Sequence, residues 1–273
     1  MIPHLGDVVR LARGAGEILR EAFGKPRSVT HKGAIDLVTE ADLAVESYLL
    51  DIVRREWPED RVFAEEAGLL PGNNSEVCWY IDPLDGTTNF AHQLPQFSVS
   101  IAFADAEGLR LAAVYDPMRD EIFSAERGRG AFLNDLRIRV SGATTLLESL
   151  LVTGFPYDRG TNPDNNLNYF NHLVPKCQGI RRLGSAALDL VYVAAGRVDA
   201  FWELRLQPWD AAAGTLIARE AGALVTRMDG QPDVLRPPCS ILAANPALHT
   251  ILLAEISAAP KIETRTTGNS SPA

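Results

Sequence analysis

Val77-Cys78-Trp79-Tyr80-Ile81-Asp82-Pro83-Leu84-Asp85-Gly86-Thr87-Thr88-Asn89-Phe90 is the stretch on which the reading of this chain turns. Its apolar start, Val77 to Ile81, reads as a buried strand. That strand runs straight into two acids, and an uncompensated charge at such a place is costly. Two Asp residues three apart at a strand's end can point into a common space, where hard divalent cations would neutralise them, while Pro83 and Gly86 stiffen and tighten the turn between. A bare D-x-x-D is more often a solvated loop or a helix cap. Here Gly86-Thr87-Thr88 follows at once, and successive backbone N–H groups at a Gly-containing turn that opens a helix form a seat for phosphate.

Outward from this stretch, three further segments place acids where apolar runs end. Glu65-Glu66 follows Val62-Phe63-Ala64, where surface charge at a strand exit is an equally good local reading. In Pro208-Trp209-Asp210, followed by Ala211-Ala212-Ala213-Gly214, the acid taken alone reads as a helix N-cap. In Asp36-Leu37-Val38-Thr39-Glu40-Ala41-Asp42, Asp42 alone also reads as an N-cap.

Periodicity supplies the frame. Leu5, Val8, Val9, Ala12, Ala15, Leu19 and Phe23 recur at helical spacing until Gly24 and Pro26, and a second helix carries Val45, Leu49, Ile52 and Val53 up to Trp57-Pro58. Val77 to Ile81, Phe97 to Phe103, Leu109 to Tyr115 and Glu121 to Ala125 read as strands of one antiparallel sheet. Beyond Ser141, strands at 150–153, 198–203, 224–227 and 240–243 alternate with helices at 163–174, 185–195, 211–221 and 246–257, which is an α/β rhythm. The expected organisation is an N-terminal α+β lobe over 1–143, a C-terminal α/β lobe over 144–262, and a disordered tail over 263–273 rich in Thr, Ser, Gly and Asn.

With 46% hydrophobic and 22% charged residues, and no apolar run near the roughly 20 residues a membrane span needs, the composition is that of a globular protein without a membrane. The N-terminus lacks the apolar core of a secretory signal, so a cytoplasmic location is expected. Cys78, Cys177 and Cys239 are odd in number and widely spaced, which argues against a disulfide framework or a thiolate metal site and for buried small hydrophobes. A net charge of -9 makes nucleic acid an unfavourable partner.

The D-P-L-D-G-T-T-N-F run at 82–90 and the W-D-A-A-A-G run at 209–214, with the acids around 36–42 and 65–66 in this order, resemble the inositol monophosphatase family, among the lithium-sensitive, magnesium-dependent sugar and inositol phosphatases. The resemblance covers about residues 5 to 258. It implies an α+β / α/β fold, a layered α-β-α-β-α sandwich of the sugar-phosphatase type. It also implies that Glu65, Asp82 and the Leu84 carbonyl hold one metal, and that Asp82 bridges to a second held with Asp85 and Asp210. Oxygen-only ligands suit Mg²⁺, two or three per site, with Mn²⁺ able to substitute. The implied reaction is hydrolysis of a small phosphorylated polyol, myo-inositol monophosphate or a similar sugar phosphate, by direct attack of metal-activated water. Thr87 with Asp42 behind it would orient and deprotonate that water, Glu65 serving the metal, and the N–H groups of Gly86 and Thr87 would hold phosphate oxygens. Gly184, Ser185, Ala186, Glu203 and Asp210 match the positions that line the sugar or inositol ring. Homodimerisation and lithium sensitivity are implied in the same way.

Some positions depart from the family pattern. A Lys usually five residues before the position of Asp36 is His31 here, with Lys32 four before it. The segment Thr153 to Arg159 resembles bacterial members more than animal ones, and Arg181 and Arg182 read as surface or interface charges. The alternatives are a sister activity on fructose-1,6-bisphosphate, histidinol phosphate, 3'-phosphoadenosine 5'-phosphate or NADP(H), and, outside enzymes, a regulatory binding protein of the transcription machinery. Thr88-Asn89-Phe90 favours the inositol reading over its sisters, and the complete acid set favours catalysis over binding alone.

Overall fold

The computed structural model of the chain describes residues 2–25, 29–31 and 37–260, and of 29–31 and 37 the backbone only. Lys32, Asp36, the side chain of His31 and the expected tail lie outside the described residues.

Helix α1 (Leu5–Ala22) buries Val8, Leu11, Ala12, Ala15 and Leu19 along one stripe, as its spacing requires. A short antiparallel pair, β1 (Val29–His31) and β2 (Leu37–Thr39), leads into α2 (Glu40–Glu56). The N-cap of α2 is Thr39, not Asp42. Thr39 Oγ1 accepts from the Ala41 N–H at 3.2 Å, and Asp42, at the third helical position, accepts the Thr39 N–H at 2.9 Å. The reciprocal capping box satisfies two donors where a lone Asp cap satisfies one.

Next come β3 (Asp60–Ala64), β4 (Gly68–Leu70), β5 (Asn74–Asp85), the short helix α3 (Thr87–Ala91), β6 (Ser98–Asp105), β7 (Gly108–Asp116), β8 (Glu121–Glu126), β9 (Gly130–Leu133) and β10 (Leu136–Arg137). They form an eight-stranded sheet in the order β10-β9-β8-β7-β6-β5-β3-β4. The four strands read from the sequence are antiparallel neighbours in it. The sheet as a whole is mixed, because β3 runs parallel to β5 with Ala64 opposite Ile81. That pairing sets Glu65 and Asp82, the next residue on each strand, side by side.

The remainder of the chain supplies β11 (Leu150–Thr153), α4 (Leu167–Leu173), β12 (Gly179–Arg181), α5 (Ala186–Ala194), β13 (Ala200–Leu206), α6 (Pro208–Glu220), β14 (Leu224–Thr226), β15 (Cys239–Ala244) and α7 (Pro246–Ala258). Their strands form a five-stranded sheet, β12-β11-β13-β15-β14. Two helix starts differ from the sequence reading. α4 begins at Leu167 rather than Pro163, because the Asn162 and Asn165 side chains accept the N–H groups of Asp164 and Leu167 and hold the preceding chain in turns. α6 begins at Pro208, whose fixed φ suits the first helical position, so Asp210 is a third-position residue that accepts the Gln207 N–H at 2.8 Å and not the N-cap.

Alternation sorts the side chains into layers. On the large sheet Trp79, Ile81, Val99, Ile101 and Phe103 face α1 and α2, while Ala102, Ala112, Val114, Phe123 and Ala125 face α5 and α6. On the small sheet Val152, Phe201, Ile241 and Ala243 face the same two helices, and Leu151, Trp202, Leu242 and Ala244 pack under α7. The order is therefore helix, sheet, helix, sheet, helix, the layered sandwich expected. α5 is buried along its whole length, and α6 comes so close that a Cβ on Gly214 would stand 2.5 Å from Leu190 Cβ.

Candidate active site

Where the ends of β5 and β13 meet the N-termini of α3, α5 and α6, a cavity of about 320 Å³ opens, lined by acids from both sheets and the helices between them. Irregularities in two strands shape it. Between Asp82, opposite Ser100, and Asp85, opposite Ser98, β5 advances three residues while β6 advances two. The extra residue is a β-bulge, tolerated because Pro83 has no N–H to give the ladder, and it turns both acids toward the cavity. On β13 the register slips between Leu204 and Leu206, leaving Arg205 unpaired at φ 61° on the cavity wall.

Asp82 is buried, and its carboxylate accepts the Leu84 N–H at 3.0 Å. Burial holds it well above the usual carboxylate range, and the charges of Glu65, Asp85 and Asp210 push it further. Asp85 is also raised by burial, against three hydrogen bonds that it accepts from the start of α5: Ser185 Oγ at 2.5 Å and Ala187 N–H at 2.7 Å on Oδ2, and Ala186 N–H at 3.2 Å on Oδ1. With about four acceptor positions on a carboxylate, Oδ1 keeps one for another partner. Asp210 is held well above the usual range by burial and by Asp85, Glu65 and Glu203.

Thr87 Oγ1 lies 3.0 Å from Asp42 Oδ1 and 3.0 Å from the Leu84 carbonyl oxygen. Asp42 is fully buried and raised by desolvation, and carboxylate oxygens of Asp42, Glu65 and Glu66 all come within 4.8 Å of one another. Gly86 caps α3 at φ 101°, and a Cβ there would stand 3.0 Å from the Gln96 carbonyl oxygen, so glycine is required on two counts. The first N–H groups of α3 have no acceptor within the helix, and Gly86 and Thr87 line the cavity.

A divalent cation fits these residues. Glu65, Asp82, Asp85 and Asp210 share one cavity and repel one another, and oxygen donors of this kind are those hard cations take. The charge of Arg182 lowers Asp85 but leaves it raised.

Glu203, on the lining of the same cavity, is buried and pushed up to about 8 by desolvation, with Arg182 opposing and Asp85 adding. Its carboxylate lies over Gly154, where a Cβ would fall 2.1 Å away, so only glycine leaves it room. Gly184, Ser185 and Ala186 line the same cavity, and Ser185 caps α5 by accepting the Leu188 N–H at 3.3 Å. Glu65, Asp82, Leu84, Asp85, Gly86, Thr87, Gly184, Ser185, Ala186, Glu203 and Asp210 thus line one cavity, with Asp42 behind Thr87. The sequence reading missed Asp189, and it took Arg182 for a surface charge. Arg182 is solvent-exposed, yet it also lines the cavity and acts on its acids. Asp189 had a signal, since it is the one charged residue in the otherwise apolar run Ala186 to Ala194. Of the three free cysteines, Cys78 and Cys239 are buried as expected and Cys177 is half-buried.

The profile described as "Inositol monophosphatase family" matches residues 6–261. The Nus factor SuhB of Escherichia coli K12 is 44% identical over 258 residues, which cover 94% of this chain and 96% of that protein. The Nus factor SuhB of Pseudomonas aeruginosa is 46% identical over 262 residues, again with 94% and 96% covered. Among solved structures, an inositol monophosphatase from Anabaena (Nostoc) sp. PCC 7120 superposes with a TM-score of 0.86 at 42% identity, over 94% of this chain and 96% of that one. With its layered fold and its acids gathered at one cavity, the chain belongs to the inositol monophosphatase family.

Proposed function

We propose that this protein is a Mg²⁺-dependent phosphomonoesterase that hydrolyses myo-inositol monophosphate, or a polyol phosphate of similar size, to the free alcohol and phosphate. The observation that carries the reading is one cavity that gathers Glu65, Asp82, Asp85, Asp210 and Glu203, with Gly86 and Thr87 at the start of α3 on its lining. Its volume of about 320 Å³ suits a small ligand.

Glu65, Asp82, the Leu84 carbonyl, Asp85 and Asp210 would hold the metal. When bound, Mg²⁺ neutralises these acids, polarises the phosphate and makes water a better nucleophile. The Gly86 and Thr87 N–H groups hold phosphate oxygens. The Thr87 hydroxyl positions the attacking water and passes a proton to Asp42 at 3.0 Å, whose raised basicity suits it to receive it. Glu203, able to carry a proton near neutrality, accepts from and donates to ring hydroxyls. Inhibition by Li⁺, replacement by Mn²⁺ and a homodimeric state belong to the same proposal, by likeness to the family. The three free cysteines agree with action in the reducing cytoplasm.

The test is phosphate release from inositol 1-phosphate, fructose-1,6-bisphosphate, histidinol phosphate, 3'-phosphoadenosine 5'-phosphate and NADP(H), with Mg²⁺ and then with chelator. Preference for the first, lost on chelation, is expected; strong selectivity for another ester overturns the substrate. A second reading, a binding role in the transcription machinery, is supported by the name Nus factor borne by relatives 44% and 46% identical. It is compatible with the first. Copurification of RNA polymerase with both the wild type and an inactive Asp85→Asn variant would support it.

A further inference from the structure

We infer that Asp189 is a specificity-determining residue that accepts a hydroxyl of the bound polyol, so that Asp189 from α5 and Glu203 from β13 clasp the ring from two sides. This rests on the polyol phosphatase reading above.

Every residue of α5 from Ala186 to Ala194 is buried, and Asp189 is the one charged group among them. Its side chain lines the cavity, is 1% exposed, and its Oδ1 has no hydrogen-bond partner. An unmade hydrogen bond on a buried carboxylate is destabilising, so a sequence that keeps one needs a reason. Helix capping is not the reason, because Ser185 and Asp85 already serve the first N–H groups of α5. Ion pairing is not either, since no salt bridge reaches Asp189 among the described residues.

The position of Asp189 tells what would complete it. The charges that act on it are Glu203, Asp85 and Arg182, whereas those acting on Asp82 are Glu65, Asp85 and Asp210. Asp189 therefore sits by Glu203 and by Asp85, which is also a proposed metal ligand, with neither Asp82 nor Glu65 acting on it. Arg182 already supplies positive charge there, so the missing partner is a neutral donor that enters with the ligand. A ring hydroxyl has that chemistry: it donates one proton and leaves the charge balance unchanged. Sites built to bond a substrate hydroxyl discriminate strongly against esters that lack it.

The experiment compares wild type, Asp189→Ala and Asp189→Asn on inositol 1-phosphate and on phenyl phosphate, which has no ring hydroxyl, with thermal unfolding of all three. For Asp189→Ala, kcat/KM on inositol 1-phosphate should fall about 10- to 100-fold while phenyl phosphate changes less than about threefold. Asp189→Asn keeps an acceptor oxygen, so it should lose less, and its Tm should equal or exceed that of the wild type. Equal losses on the two esters, or no loss on inositol 1-phosphate, would overturn the assignment and leave the phosphatase reading intact. A wild type that shows no preference for inositol 1-phosphate over phenyl phosphate would overturn the polyol reading itself, and the assignment with it.

Discussion

Asp85 serves two elements at once. Its carboxylate takes three hydrogen bonds from the start of α5, and its charge is among those that raise Asp82 and Asp210. Whatever neutralises those acids is therefore tied to the placement of α5. The raised basicity of Asp82 gives a direct consequence. Without metal, its carboxylate opposes folding at neutral pH, because its folded pKa lies above the unfolded value and stability rises only as pH falls toward protonation. Asp82→Asn should raise Tm in chelator, abolish the rise in Tm that Mg²⁺ gives the wild type, and lower kcat by about 10²- to 10³-fold. Thermal scans with and without Mg²⁺ check the first two effects, and an unchanged Mg²⁺ response would remove Asp82 from the metal site. At this scale the acids were legible because their type and spacing are local. Asp42 and Asp210 were read three positions out of register, as N-caps, because the true caps, Thr39 and Gln207, are recognisable only from the backbone bonds they make. Asp189 was not read although it is the one charged residue in its apolar run, since only in three dimensions does its Oδ1 show as unpartnered.

Among elements, helices and central strands followed from periodicity, because each buries one face. The parallel pairing of β3 with β5 did not, since direction depends on the β4 excursion between them and leaves no trace in alternation. The short α4 shows the same limit, with Asn side chains competing for the backbone. A test at this scale concerns the join of α7 to the small sheet. His249 on α7 is 2% exposed, with Nε2 2.9 Å from Thr226 Oγ1 at the end of β14, and burial holds its pKa below 6.5. As pH falls below that value the unfolded chain takes up a proton that the folded chain resists, so this contribution is complete above about 6.5 and is lost below it. Urea midpoints measured near about pH 7.5 and about pH 5.5 should therefore differ more for the wild type than for His249→Gln. Equal differences would show that His249 does not set the acid slope.

For the molecule as a whole, α5 and α6 are the middle layer of both sheets, covering Ala112, Val114 and Phe123 on one side and Phe201, Ile241 and Ala243 on the other. The strands of the large sheet end at Arg137 and those of the small sheet begin at Leu150. We propose a seam near residue 143, one of topology and not of independent folding, because the N-terminal piece would be left with a bare apolar sheet face. Residues 1–143 and 144–273 made separately should each lack a cooperative thermal transition, and refolding them together should restore one, with Mg²⁺-dependent phosphate release. A cooperative transition in either piece alone would refute the shared-layer account. With neither piece folding alone, the two would amount to a split phosphatase: fused to two other proteins, they would report by phosphate release whether those proteins had met.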